Sequence, residues 1–194
     1  MGHIFYVMGK SASGKDTIYK ILRERLPQIR TVVPYTTRPI RAGEQDGVQY
    51  YFTDDSRLEE FKKSGKLIEA RAYHTVHGIW TYFTADDGQV DLSEGNYLGI
   101  GTLESYQKLK QYYGEEYVIP VYIEVEDGER LQRALLRERE QEKPKYEEMC
   151  RRFLADQEDF SEENIREAGI KLRFANENLE LCVENIIKYI NSLS

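Results

Sequence analysis

Gly9-Lys10-Ser11-Ala12-Ser13-Gly14-Lys15-Asp16-Thr17 fits the spacing G-x-x-x-x-G-K. Residues of these types at that spacing bind polyphosphate. The glycines let the backbone wrap closely enough for successive N–H groups to point at phosphate oxygens. A helix opening at the end of the loop adds partial positive charge, and Lys15 adds a full one for the β/γ region. The residue after such a lysine is ordinarily a Ser or Thr whose hydroxyl meets Mg²⁺. Here it is Asp16, followed by Thr17. A carboxylate is a good hard-cation ligand, so Asp16 and Thr17 are the candidate metal ligands, in a geometry that must differ from the usual one.

A second candidate anion site lies in Tyr35-Thr36-Thr37-Arg38-Pro39-Ile40-Arg41-Ala42-Gly43-Glu44-Gln45-Asp46-Gly47-Val48-Gln49-Tyr50-Tyr51-Phe52. Arg38 and Arg41, three apart on a loop, can converge on one phosphate through planar, charge-assisted contacts, and Tyr50 can add a phenolic donor. An arginine pair in a loop is more often solvated than functional, so the pair needs support from its surroundings. His74-x-x-His77 offers less. On a strand its rings fall on opposite faces, and no further ligand stands nearby, which argues against a metal site.

A phosphate loop needs a strand before it and a helix after it. His3 to Met8 reads as a buried strand, and Asp16 to Leu26 as a helix with Ile18, Ile21 and Leu22 at helical spacing, stopped by Pro27. Ile29 to Val33 reads as a second apolar strand, and Thr36 to Phe52 as a long structured loop with a strand near Tyr50. Asp54-Asp55-Ser56 caps a helix carrying Leu58 and Phe61 that Gly65 ends. Leu67 to Val76 and Ile79 to Thr84 form a hairpin-like pair around His77-Gly78, and Tyr97 to Ile100 is a short strand. Thr102 caps a helix, and Tyr117 to Val125 is the clearest central strand despite Pro120. Charged helices over Asp127–Glu142 and Lys145–Glu167 flank Pro144; a strand near Leu172–Phe174 and a helix from Leu179 close the chain. Strands alternating with helices predict an α/β fold with a mainly parallel sheet.

The 194 residues suit one domain, and 40% hydrophobic against 31% charged residues can bury a core. A net charge of −7 argues against nucleic acid or an anionic membrane as partner. No apolar run nears the ~18 residues that span a membrane, and Ile4 follows Met1-Gly2-His3 with no basic region or cleavage site. Cys150 and Cys182 cannot make a disulfide scaffold and read as two buried thiols. The expectation is a cytoplasmic protein that binds small molecules.

The string T-T-R-x-x-R-x-G-E-x-x-G-x-x-Y-x-F, taken with the phosphate loop, resembles the guanylate kinase family, and the resemblance runs from the first strand to the final helix. It implies a P-loop kinase fold with a core over 1–33, 85–128 and 153–194, an acceptor-binding insertion over 34–84 and a helical lid over 129–152. It also implies ATP as phosphoryl donor, Mg²⁺, and transfer of the γ-phosphoryl group to GMP. Lys15 matches the family's catalytic lysine. Arg38, Arg41 and Tyr50 match residues that hold the acceptor's 5′-phosphate, and Glu44 orients the arginines. Glu69 matches the carboxylate that reads guanine, whose ring N–H and NH₂ stand side by side for a carboxylate to accept. Tyr82 and Thr84 match a further phosphate contact and a base contact. Arg133, Arg137 and Arg152 fall where lid arginines close over the phosphates, and Asn176 where an asparagine approaches the donor adenine.

Two positions depart from the family pattern. Pro34 stands where the family has a serine that contacts the base, and Gly99-Ile100-Gly101 stands where it has Asp-x-Asp. A related branch, ribose 1,5-bisphosphate phosphokinase, resembles this chain in pairing G-K-D with a missing Asp-x-Asp, but lacks the full arginine string. A guanylate-kinase-like binding module that has lost catalysis is the other alternative. Such modules typically lose the phosphate loop.

Overall fold

The computed structural model describes residues 1–75 and 78–193. The chain order is β1 (Ile4–Met8), α1 (Lys15–Arg25), β2 (Arg30–Thr31), β3 (Tyr35–Thr36), β4 (Tyr51–Phe52), α2 (Asp55–Lys63), β5 (Leu67–Thr75), β6 (Gly78–Ala85) and β7 (Tyr97–Gly101). There follow α3 (Leu103–Tyr113), β8 (Val118–Glu124), α4 (Asp127–Arg139), α5 (Tyr146–Asp159), α6 (Glu162–Glu167), β9 (Arg173–Ala175) and α7 (Leu179–Ser192).

The main sheet has the order β2-β7-β1-β8-β9 with every pairing parallel. Parallel strands need helical crossovers, which cover both faces, so the middle strand must be apolar all along. β1 is Ile-Phe-Tyr-Val-Met and buried throughout. Its side chains alternate: Ile4, Tyr6 and Met8 join Leu103, Tyr106 and Leu109 of α3 on one face. Phe5 and Val7 join Ile18 and Leu22 of α1 and Val183, Ile186 and Ile190 of α7 on the other. Full burial of each aliphatic side chain is worth roughly 1.5–3 kcal/mol, so this three-layer sandwich fixes the strand ends that carry the loops.

β1, rather than β8, is the centre of the sheet, with β8 beside it. Pro120 is tolerated in β8 because β9 pairs only with Tyr122–Glu124, which leaves the outer side at Pro120 without a partner strand to feed. The expected strand over Ile29–Val33 shrinks to Arg30–Thr31 at the sheet edge. The expected charged helix from Lys145 to Glu167 divides into α5 and α6 at Phe160–Ser161, where Ser161 caps α6 by accepting from the Asn164 N–H.

A second sheet, order β4-β3-β6-β5, is built from residues 35–85, with β5 and β6 antiparallel. Tyr35, Phe83, Leu58 and Phe61 pack α2 onto it. Asp54 caps α2 by accepting from the Arg57 N–H at 3.0 Å. Thr102 and Ser105 make a capping box at α3. Such caps contribute about 1 kcal/mol each. Cys182 is buried, but Cys150 is exposed on α5, against the expectation of two buried thiols, because α5 contributes no buried side chain. No described helix is long and apolar enough to cross a membrane. His74 lies in β5, while His77 falls outside the described residues.

Candidate functional site

The loop Gly9–Gly14 joins the C-terminal end of β1 to α1. Gly14 has φ 85° and Ala12 has φ 62°, the one positive value outside glycine among the described residues. Left-handed residues on either side of Ser13 make a tight turn of the alternating kind that forms anion nests, closed by the Ser13 N–H donating to the Lys10 carbonyl at 3.1 Å. A side chain at position 14 meets two objections, the positive φ and Asn176 Nδ2 at 2.5 Å from the added Cβ. Asn176, buried at the start of the β9–α7 connection, donates to the Ser13 carbonyl at 2.8 Å and props the loop from beneath.

A cavity of about 230 Å³ opens on the loop, lined by Ala12, Ser13, Gly14, Lys15, Asp16, Thr17, Arg133 and Arg137. The structure therefore brings two of the three lid arginines to the phosphate loop. Arg133 is braced by Glu129 at 2.9 Å and by the Asn176 carbonyl at 3.1 Å. Arg137 has no carboxylate holding its guanidinium among the described residues. Arg152 is not at this cavity; it pairs with Glu148 at 2.8 Å on the exposed side of α5. Asp16 is exposed in the first turn of α1, 3.0 Å from Lys15 Nζ, with Thr17 exposed beside it. One carboxylate and one hydroxyl at an open phosphate site suit Mg²⁺, which keeps waters and shares phosphate oxygens rather than filling a protein cage. Among the described residues no group of three metal-ligating side chains offers an alternative.

A further brace on the loop was invisible in the sequence. Arg130 of α4 is buried, donates to the Ser11 carbonyl at 3.0 Å, and reaches Asp127 at 2.5 Å and Asp156 at 2.9 Å. Asp156 in turn accepts from the Ser11 N–H at 2.7 Å. Both ends of one loop residue are thus tied to α4 and α5. Lys10 is occupied as well, bonded to Gln157 and 3.5 Å from Asp127. A larger cavity of about 370 Å³ borders Lys10, but Glu124, Glu126, Asp127, Glu162 and Glu177 line it, which makes it a poor place for phosphate.

The second sheet carries the remaining candidates. Arg38 is buried at 3% exposure, and Glu44 holds it in a fork with contacts of 2.7 and 2.5 Å. Arg38 also donates to Tyr82 Oη at 3.1 Å and lies over the Tyr50 ring. Glu44 accepts the Arg41 N–H at 2.8 Å, so one carboxylate sets both arginines. Hydrogen bonds from Arg38, against some burial, hold the Glu44 carboxyl down at about 2. The Arg41 guanidinium is exposed, faces the Trp80 ring, and is free of carboxylate partners among the described residues. Burial, then Tyr82, push the Tyr50 phenol up against the opposing effect of the Arg38 guanidinium.

Glu69 and Thr84 are both buried, and Thr84 donates to Glu69 Oε1 at 2.9 Å. Glu69 has a partner the motif does not announce: Arg71 Nε donates to its Oε2 at 2.9 Å, and Arg71 Nη1 reaches Thr102 Oγ1 at 3.2 Å. The available signal was the spacing, since residues two apart on a strand share a face.

Gly99 and Gly101 also find their reason here. A Cβ at Gly99 would lie 2.6 Å from the Tyr6 ring, and one at Gly101 would lie 2.1 Å from Tyr6 Oη and 2.6 Å from Ser105 Oγ. The Tyr6 phenol fills the space that side chains at 99 and 101 need, and donates to Ser105 Oγ at 2.8 Å. Burial pushes that phenol up, so it stays a neutral hydrogen-bond donor at any working pH.

A sequence model described as guanylate kinase matches residues 2–192. The chain is 40% identical over 78 residues to the guanylate kinase of Mycobacterium bovis, a stretch covering 40% of this chain and 36% of that protein. It is 37% identical over 100 residues to the guanylate kinase of Leifsonia xyli subsp. xyli, covering 47% and 38%. The match therefore spans little more than a third of the length of these curated relatives. The crystal structure of guanylate kinase from Anaplasma phagocytophilum superposes with a TM-score of 0.64 over 98% of this chain and 86% of that one, at 21% identity, and so carries the P-loop kinase fold. On the extent of the family match, this chain belongs to the guanylate kinase family.

Proposed function

We propose that the protein is a nucleoside monophosphate kinase that moves the γ-phosphoryl group of ATP to GMP, giving ADP and GDP. The observation that carries the reading is the cavity in which the phosphate loop, Lys15 and Arg137 meet, together with a second sheet that presents Arg38 and Arg41 on one carboxylate. Phosphoryl transfer asks for positioning and charge neutralisation rather than covalent help. The loop N–H groups and Lys15 hold the donor phosphates. Arg137 and Arg133 approach from the lid segment, residues 129–152. Arg41 and Tyr50 take the acceptor's 5′-phosphate, with Arg38 as the buried anchor of that loop, and Glu69 and Thr84 face the base. Asp16 and Thr17 would hold Mg²⁺, which would supply further charge neutralisation at the phosphates. Closure of residues 34–84 and 129–152 over the substrates excludes water, which competes as acceptor.

A second reading has its own observation. Arg71 neutralises Glu69, and Tyr6 fills the place of the missing Asp-x-Asp, which suits an acceptor without a base, such as ribose 1,5-bisphosphate. The lapsed binding module is disfavoured by the joint presence of Lys15, Arg38 and Arg41. An ADP-release assay against GMP, dGMP, AMP, UMP and ribose 1,5-bisphosphate separates the readings. GMP is expected to be the best acceptor, and Lys15→Met to lose on the order of 10²–10³ in rate with the fold intact. A folded Lys15→Met enzyme at normal turnover refutes the loop assignment, and preference for the bisphosphate refutes GMP.

A further inference from the structure

We infer that Arg71 is a base-reading residue, its guanidinium donating to the oxygen at C6 of a guanine whose N–H and NH₂ donors sit on Glu69. The inference rests on the reading of GMP as acceptor and deepens it.

Guanine presents three groups in a row along one edge: an oxygen that accepts, a ring N–H and an exocyclic NH₂ that donate. A carboxylate satisfies the two donors and leaves the oxygen unmatched, and a desolvated acceptor without a donor is penalised. Of the two described side chains bonded directly to Glu69, Arg71 is the one with donors left over. Thr84 gives its hydrogen to Glu69, and Tyr6 gives its own to Ser105. The Thr102 hydroxyl accepts from Arg71 and from the Ser105 N–H, and its hydrogen has Ser105 Oγ within reach at 3.1 Å. Pro34, Gly99 and Gly101 have no side-chain donor.

Arg71 has donors to offer. Of its five N–H groups, one is bonded to Glu69 at 2.9 Å, one to Thr102 at 3.2 Å, and a third makes a long 3.5 Å contact with Glu69. Two remain open. Glu69 has accepted one close bond on each oxygen, so each keeps a lone pair for guanine. The pair therefore presents donor and acceptor side by side on one strand face, the complement of guanine's edge. Both members are largely out of water, at 15% and 3% side-chain exposure, and Arg71 is held at both ends, so it is set before the base arrives. Adenine, with an amino group in place of the oxygen, brings a donor against a donor and is rejected.

The test compares kcat/KM for GMP with that for 2-aminopurine riboside 5′-monophosphate in wild type, Arg71→Ala and Arg71→Lys. The analogue lacks the oxygen and with it the ring N–H but keeps the NH₂, so that only the response of the preference to the variants reads the oxygen. Arg71→Ala should lower kcat/KM for GMP about tenfold to a hundredfold while moving the 2-aminopurine nucleotide by no more than about threefold. Arg71→Lys keeps the charge beside Glu69, and with it the fold, and should narrow the preference by a smaller factor. Equal losses on both nucleotides in either variant, or an unchanged preference in Arg71→Lys, overturn the inference and leave Arg71 as a brace for Glu69. If wild type phosphorylates GMP and only the preference fails to respond, the inference alone falls. If wild type phosphorylates no purine nucleotide, the GMP reading falls with it.

Discussion

Arg38–Glu44 and Arg71–Glu69 are two arginine–glutamate pairs on the same small sheet and its loop, built to opposite effect. In the first, the arginine is the buried member at 3% exposure and the glutamate the more open one at 18%; in the second, the glutamate is at 3% and the arginine at 15%. Glu44 uses its oxygens on Arg38 and on the Arg41 N–H, and the product is a rigid loop from which Arg41 projects free. Glu69 and Arg71 each keep bonding capacity. The first pair shapes a loop, and the second presents a surface. The same two residue types become a closed scaffold or an edge with open bonding capacity according to which partner is desolvated and how many of its valences are already filled.

That contrast can be broken by deletion. Glu44→Ala leaves a buried guanidinium without its counter-charge and should destabilise the protein by about 3 kcal/mol, the low end for a broken buried pair. Glu69→Ala leaves an arginine that keeps Thr102 and more solvent, and should lose less in the same urea titration. A larger loss for Glu69→Ala would show that Arg71–Glu69, rather than Arg38–Glu44, is the closed scaffold. Arg41→Ala sharpens the picture from the other side. It should weaken acceptor binding by about 1.5–3 kcal/mol, the value of a charge-assisted contact, with the affinity for an ATP analogue unchanged. Equal losses at both ligands would show that Arg41 serves the loop rather than the phosphate.

The smallest effect is in pH. The Glu44 carboxyl lies at about 2 against an ordinary 4.5, so its contribution to stability is complete above pH 4.5 and disappears as pH falls through 2. Wild type should lose stability across that window more steeply than Glu44→Gln, which has no carboxyl to protonate there. Parallel curves for the two proteins would show that Arg38 does not depend on the charge of Glu44.

Local chemistry made half of this legible. The glycine spacing is a property of nine consecutive residues, with the strand and the helix directly adjoining, so the loop could be read directly, and the burial of β1 confirms its strand. Arg38, Arg41 and Glu44 are similarly close in the chain, and the orienting role expected of Glu44 matches the fork that it makes. Asp54 and Thr102 announced their helices because a cap acts over three residues.

What the sequence determined by itself was therefore the short-range part: the α/β alternation, the two candidate anion-binding motifs, the caps and the absence of a long apolar span. Tertiary structure alone decided the rest. Arg130 and Asp156 reach Ser11 across more than a hundred residues of chain, and the identity of a buried salt-bridge partner is set by packing, not by spacing. Arg137 comes to the phosphate cavity and Arg152 does not, although both lie on charged helices that look alike in composition. Gly99 and Gly101 read as losses in one dimension, and in three they are the room that Tyr6 requires. Close packing imposes that exchange: a volume filled from one strand excludes side chains from its neighbour, and a single strand's sequence does not reveal who fills it.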